Sequence, residues 1–285
     1  MNLPDSFRKY GPEPGEKGLA RMELARIGSK TAISKLRTKA PLLVQKALYP
    51  DTERPGMAHV CLMSSAGGIL QGDRMEIDIV VGNNTSSHIT TQAATKIYKM
   101  DRGYAAQNVA ISAHDASYLE FIPYQLIPFK SSRFCQQVDI QCEQNSTVVY
   151  SETVSAGRTA FGENFDFDIC LLKMAVRGTN GQVLFADAAK LEPGKEDLER
   201  LFGGKTLWSM IYVITPDFEI IRRQVNAAIN DHSMLAGCSI LPHDCGLVIR
   251  MLDDSIDKVR QLTDVVAEIA RSRALSVATE ARVNS

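Results

Sequence analysis

The sequence predicts a mainly β fold, a body of stacked strands with a few helices, two of them in the C-terminal third. Three observations carry that reading. Short runs of period-two alternation follow one another from Gly28 to about Phe185. Polar turn clusters interrupt those runs about every thirty residues, a spacing that suits repeated strand layers. After Thr215 the alternation gives way to two runs of helical period.

Taken in order, the first informative stretch is SSAGGILQGDRMEID, from Ser64 to Asp78, with Gly67, Gly68 and Gly72 ahead of Asp73. A phosphate cradle needs a helix N-terminus directly behind its glycines. Here Arg74, Glu76 and Asp78 alternate with Met75, Ile77, Ile79 and Val81, the pattern of a half-buried strand. The glycines therefore shape a sharp backbone path. Gly82-Asn83-Asn84, His114 to Ser117, Glu143 to Ser146 and Gly178 to Gly181 have the chemistry of tight reversals. Between them, Phe134, Gln136, Val138 and Ile140 predict one strand, and Phe165, Phe167, Ile169 and Leu171 another. The recurrence favours a solenoid-like stack over a sandwich, although no residue identities repeat. Thr215-Pro216 opens a helix with Phe218, Ile221, Val225 and Ile229 on one stripe. Gly246 to Leu252 reads as a strand, and Asp254 opens a second helix with Ile256, Val259, Val266 and Ile269 on one face. Periodicity is lost after Ala270, which predicts a flexible tail over 271–285. No linker divides the chain, so residues 1–285 read as a single domain.

Composition narrows the function. With 285 residues, 45% of them hydrophobic, the chain can bury a sizeable core. A net charge of -1 and a pI near 6.5 give no electrostatic footprint for nucleic acid or an anionic membrane. The N-terminal MNLPDSFRKYGPEPGEKG lacks the apolar run of a signal peptide, and no later stretch approaches ~20 apolar residues, so a cytoplasmic protein is expected. Cys61, Cys135, Cys142, Cys170, Cys238 and Cys245 contain no CxxC pair and read as reduced, structural thiols.

Motifs for nucleophilic, zinc-protease or P-loop chemistry are missing. The densest metal-like cluster is Cys238, His243, Asp244 and Cys245; its spacing fits no structural zinc pattern, and cysteines flanking a turn are the plainer reading. His88 and His114 stand at turn edges and read as surface residues. Two stretches carry more. ITTQAATKIYKM, from Ile89 to Met100, sets Thr90, Thr91, Gln92, Thr95 and Lys96 among small residues, as a threonine-rich strand or a polar lining. SETVSAGRTAFGENFDFD, from Ser151 to Asp168, sets Glu152, Arg158 and Glu163 around Gly157 and Gly162. An arginine between carboxylates reads as an ion pair. With Asp73, these acids near glycine bends have no nucleophile or base beside them, which suits a lining better than a catalytic dyad.

AGGILQGDRMEIDIVVG, ITTQAATKIYKM, LEFIPYQLIPFKSSRF, ETVSAGRTAFGENF and LPHDCGLVIRML together resemble the urease accessory protein UreD family, also called UreH, in its order and over roughly Ser29 to Ile269. KTAISKLRTKAPLLVQKALYP resembles the family's N-terminal strand region. Gln71 stands where a small residue is usual, Phe161 and Asn164 vary the GRxxxGExF stretch, and the C-terminal tail matches least. The resemblance implies a β-helix-like fold, no enzymatic activity and no tightly bound cofactor. It implies a scaffold for nickel insertion into apo-urease, bound to UreF, which recruits the GTPase UreG, with nickel in transit through the UreD-like protein. On that implication Asp73, Thr90, Thr91, Thr95, Glu152 and Glu163 line the nickel passage. Carboxylates and hydroxyls hold a divalent ion loosely, whereas a thiolate or multi-histidine cage would trap nickel. For Asp73 the alternative is a turn residue bonded to neighbouring amides. The rival function is a carbohydrate-active hydrolase of β-helix or sandwich fold, with Asp73, Glu152 or Glu163 as paired carboxylates. It calls for an aromatic sugar platform, and the single tryptophan, Trp208, lies far along the chain.

Overall fold

Alternation and turn chemistry resolve into a β-solenoid of about four turns in the computed structural model, which describes residues 7, 10, 11, 13–231 and 234–283, with residue 231 and residues 277–283 given by their backbone alone. β1 (Lys17–Ile27) and its antiparallel neighbour β2 (Lys30–Lys39) begin a first sheet. β3 (Leu42–Val44) and β4 (Ala58–Ser64) begin a second. The chain then winds between the two sheets. β5 (Arg74–Val81) lies in the first and β6 (Ser86–Thr91) in the second; β7 (Thr95–Ile97) runs along a third side. The next circuit repeats this with β8 (Ala105–Ala113), β9 (Tyr118–Ile122) and β10 (Leu126–Pro128). β11 (Arg133–Cys142), β12 (Thr147–Ser155) and β13 (Ile169–Arg177) complete the winding.

Every crossing has the same sense, so β1, β5, β8, β11 and β13 are parallel, as are β4, β6, β9 and β12. A meander of hairpins would have made neighbours antiparallel. Parallel register stacks like on like: Ile77, Val109, Val138 and Met174 form one inward row, and Ile89, Phe121 and Tyr150 face them from the second sheet. Strand termini explain the turn signals. At 82–85, 114–117 and 143–146 the chain turns a tight corner, and the hydroxyls of Thr85, Ser117 and Ser146 donate to the carbonyls of Gly82, His114 and Glu143 at 2.6, 2.5 and 2.7 Å.

Longer arcs, 65–73, 92–104, 123–132 and 156–168, close the opposite side. They stack through β7 on β10 and through the bridge of Ile69 to Ile97. The family-like motifs between Ala66 and Phe165 are these arcs, one per coil.

After β13 the chain adds antiparallel strands and helices: β14 (Val183–Leu191), α1 (Leu198–Leu201), β15 (Leu207–Ile214), α2 (Phe218–Asp231), β16 (Leu235–Ile240), β17 (Gly246–Asp253) and α3 (Ile256–Val283). The apolar stripes bury as expected: Ile221 and Val225 of α2 and Val259 and Val266 of α3 pack on Ile211, Val213 and Ile249, on the outer face of the second sheet. Phe165 and Phe167 differ from expectation, because the strand begins only at Ile169 and Phe165 turns at φ 54°.

The tail differs more. Helix α3 runs unbroken past Ala270 to Val283, while residues 284 and 285 lie outside the described residues. Beyond Ala270 its anchors are both apolar and polar: Ala274 and Leu275 pack against the cluster of Val259, Leu262 and Val266. Arg271 pairs with Glu120 and Glu268, and Arg273 with Asp217. Among the described residues no helix is long and apolar enough to cross a membrane.

Candidate functional site

Residues on the inner face of a solenoid strand are normally apolar, and two glutamines break that rule. Gln107 of β8 and Gln136 of β11 point between the sheets, where Glu152 and Tyr150 of β12 meet them. Gln107 Nε2 donates to Gln136 Oε1 at 2.8 Å, and Gln136 Nε2 donates to Glu152 Oε1 at 2.9 Å and to Tyr150 Oη at 3.1 Å. Glu152 is 4% exposed. Burial without a cationic partner favours the neutral acid and pushes its pKa up to about 8.

This polar chain forms the floor of a cavity of about 290 Å³ between the two sheets. Leu62, Met75, Ile77 and Phe121 make its apolar walls. Its mouth lies among the arcs, where Ser64, Gly67 and Gly68 face Thr91, Thr95 and Lys96. Gly68 is required there, since a Cβ would run into the Lys96 carbonyl and the Tyr98 ring. The structure thus brings Thr91, Thr95 and Glu152 together. Gln107, Gln136 and Tyr150 belong with them and were not singled out from sequence; the available signal was a glutamine in the inward series Phe134, Gln136, Val138, Ile140.

The other expected lining residues go elsewhere. Thr90 alternates to the opposite face of β6 and lines a second cavity, also about 290 Å³, beneath α3. Asp73 is 3% exposed, and both carboxylate oxygens accept backbone amides, Glu16 N–H at 2.9 Å and Leu70 N–H at 2.8 Å. Gly72, at φ +82°, leaves no room for a Cβ beside the Pro14 carbonyl. The glycine-rich arc and its aspartate therefore clasp the segment leading into β1, the turn role and not the lining. Glu163 is occupied by the Arg158 guanidinium and by Lys130 N–H at 3.3 Å. Arg158 itself stacks on Phe129 at 4.2 Å.

Comparison with known proteins agrees with the arcs. The sequence model of the family described as UreD urease accessory protein matches residues 16–285. The chain belongs to the UreD family. A relative named Urease accessory protein UreD, from Cenarchaeum symbiosum, is 37% identical over 262 residues, covering 90% of this chain and 92% of the relative. Urease accessory protein UreD 2 of Streptomyces griseus is 34% identical, covering 95% and 94%. Urease accessory protein UreD of Photorhabdus laumondii is 33% identical, covering 97% and 91%. These UreD relatives are named as accessory proteins, not as enzymes.

In this UreD-family chain the cysteine-histidine cluster is dispersed. Cys238 packs toward the helices, Cys245 toward the inter-sheet core, and His243 is exposed in the turn between them. Burial pushes the Cys238 thiol up to about 11 and raises Cys245 as well, so neither offers a ready thiolate. Among the described residues no three His, Cys, Asp or Glu side chains are grouped to hold a metal ion.

His88 departs from its expected surface role. Its Nδ1 lies 2.6 Å from the fully buried Glu120, which also accepts Tyr118 Oη at 2.6 Å and Arg271 Nε at 2.6 Å. Burial alone would raise the Glu120 pKa. Hydrogen bonds from His88 and Arg271 outweigh it and hold the carboxyl at about 2.

Proposed function

We propose that this UreD-family protein is a non-enzymatic cytoplasmic scaffold for nickel insertion into apo-urease. It binds urease and UreF, through which the GTPase UreG is recruited, and nickel passes through its inter-sheet cavity. The observation that carries the reading is the cavity's donor set: Thr91 and Thr95 at the mouth, and Gln107, Gln136, Tyr150 and Glu152 at the floor. Hydroxyls, amides and a single carboxyl are weak, exchangeable ligands for a divalent ion, as a conduit requires. The names of the relatives supply the urease connection.

The hydrolase alternative finds little support at the same place. Paired-acid hydrolysis needs two carboxyls about 5–10 Å apart across the scissile bond. Glu152 is the one acid among the residues lining the cavity. Trp208 packs against the inter-sheet core instead of forming a sugar platform.

The test is urease activation in cells carrying Glu152→Gln or Thr95→Val. Both variants are expected to co-purify with UreF and urease while the urease contains less nickel. Intact complexes with nickel-replete urease would overturn the passage; failure of the wild-type chain to co-purify with either protein would overturn the scaffold.

A further inference from the structure

The ladder of the second sheet is broken at one point. β9 leaves it at Ile122 and the chain returns as β10 at Leu126, so residues 123–125 swing out and leave a window between β6 and β12. Neighbouring threonines pin the edges of this excursion. Thr90 Oγ1 donates to the Ile122 carbonyl at 2.7 Å, and the Tyr124 N–H donates to Thr91 Oγ1 at 2.9 Å. The cavity between the sheets lies on one face of the window and the cavity beneath α3 on the other. Pro123, Tyr124 and Thr153 line both. At the same window the buried Gln125 Oε1 has no hydrogen-bond partner, an acceptor left over for something that occupies the opening.

One side chain of the outer cavity lies against this window. The Arg260 guanidinium, carried by α3, lies over the Tyr124 ring at 3.7 Å from its centroid. Its charge is permanent and opposes any divalent cation approaching the window. Asp264 lines the same outer cavity one helical turn further on, at the spacing where an arginine and an aspartate meet. It offers the guanidinium a second resting place, off the ring.

We propose that the two cavities are consecutive chambers of one route through the second sheet, and that the Arg260–Tyr124 stack is the gate between them. The gate is shut when the guanidinium covers the ring and open when it turns to Asp264. Because Arg260 sits on α3, a partner that shifts this helix controls the gate. This inference rests on the nickel-passage reading and adds where the passage is regulated.

Trp208, the single tryptophan, provides the measurement. It is the cross-strand partner of Val154, two residues from the Met210 that pairs with Glu152, so it stands next to the floor of the inner chamber, close enough for a bound nickel ion to quench it. The full chain is mixed with nickel chloride alone, and quenching of Trp208 fluorescence is followed in time. Arg260→Gln and Tyr124→Ala are each expected to quench about tenfold faster than the wild type, the effect of removing a half-buried cation–π contact. Far-UV circular dichroism verifies that each variant is folded, and one folded variant suffices. Quenching at the wild-type rate in the variants would overturn the gate and leave the passage standing. No quenching in any of the proteins would overturn both.

Discussion

Glu152 and Asp73 are both nearly buried acids, and their partners give them opposite roles. Asp73 has two backbone amides for its two oxygens; Glu152 has one amide nitrogen from Gln136 and an open cavity. Asp73→Ala strands the amides of Glu16 and Leu70 and should lower stability by about 1–3 kcal/mol, with Asp73→Asn losing less, as read by urea unfolding. A null result for Asp73→Ala would mean that those amides find water. Glu152 predicts a pH signature. Its carboxyl titrates near 4.5 in the unfolded chain and at about 8 in the folded one, so between those values only the folded state keeps the proton. Its contribution is complete below the lower value and disappears as pH rises through the upper one, with a slope of up to about 1.4 kcal/mol per pH unit. Glu152→Gln should abolish that slope relative to wild type; parallel stability curves would show that the carboxyl is solvated.

Among the elements, α3 depends most on a single contact. Its apolar face packs as far as Leu275, and beside it Arg271 reaches into the second sheet to the carboxylate of Glu120, with Nε and Nη2 at 2.6 and 2.8 Å. Arg271→Ala leaves Glu120 buried with only His88 and Tyr118 and should cost about 3 kcal/mol. Thermal unfolding is the measure, and an unchanged midpoint would show that Glu120 simply takes up a proton. Removing residues 271–285 should therefore destabilise the sheet it pairs with, which a freely fraying tail would not do.

In the whole molecule, stacked coils leave open sheet edges, and the edges are guarded unequally. β2 carries Lys30, Lys35, Arg37 and Lys39, charges that discourage pairing with another chain. β16, at the far edge of the second sheet, is LAGCSI, without a charge, and its Leu235 is 63% exposed. Self-association through this edge is the expected consequence. Leu235→Lys should reduce light scattering at high protein concentration while leaving the thermal midpoint nearly unchanged, within about 0.5 kcal/mol of stability. Equal scattering from both proteins would place the association elsewhere.

The sequence by itself determined the strands, corners and helix stripes, because these depend on local chemistry: alternation of side chains, serine and threonine at tight turns, and apolar residues at helical spacing. It also carried the family, since the arcs keep their motifs in order. Only the tertiary structure decided what those arcs do. Winding placed Thr91 and Thr95 beside Glu152 and put Gln107 and Gln136 beneath them. It sent Thr90 through to the other face and used up Asp73 and Glu163 in a clasp and an ion pair. It also kept α3 helical past Ala270, where ties to Glu120 and Asp217 add to the packing of Ala274 and Leu275. Partners separated by 29 or by 151 positions leave no trace in a local pattern, because a hydrogen bond or an ion pair is set by distance in space and not by spacing along the chain.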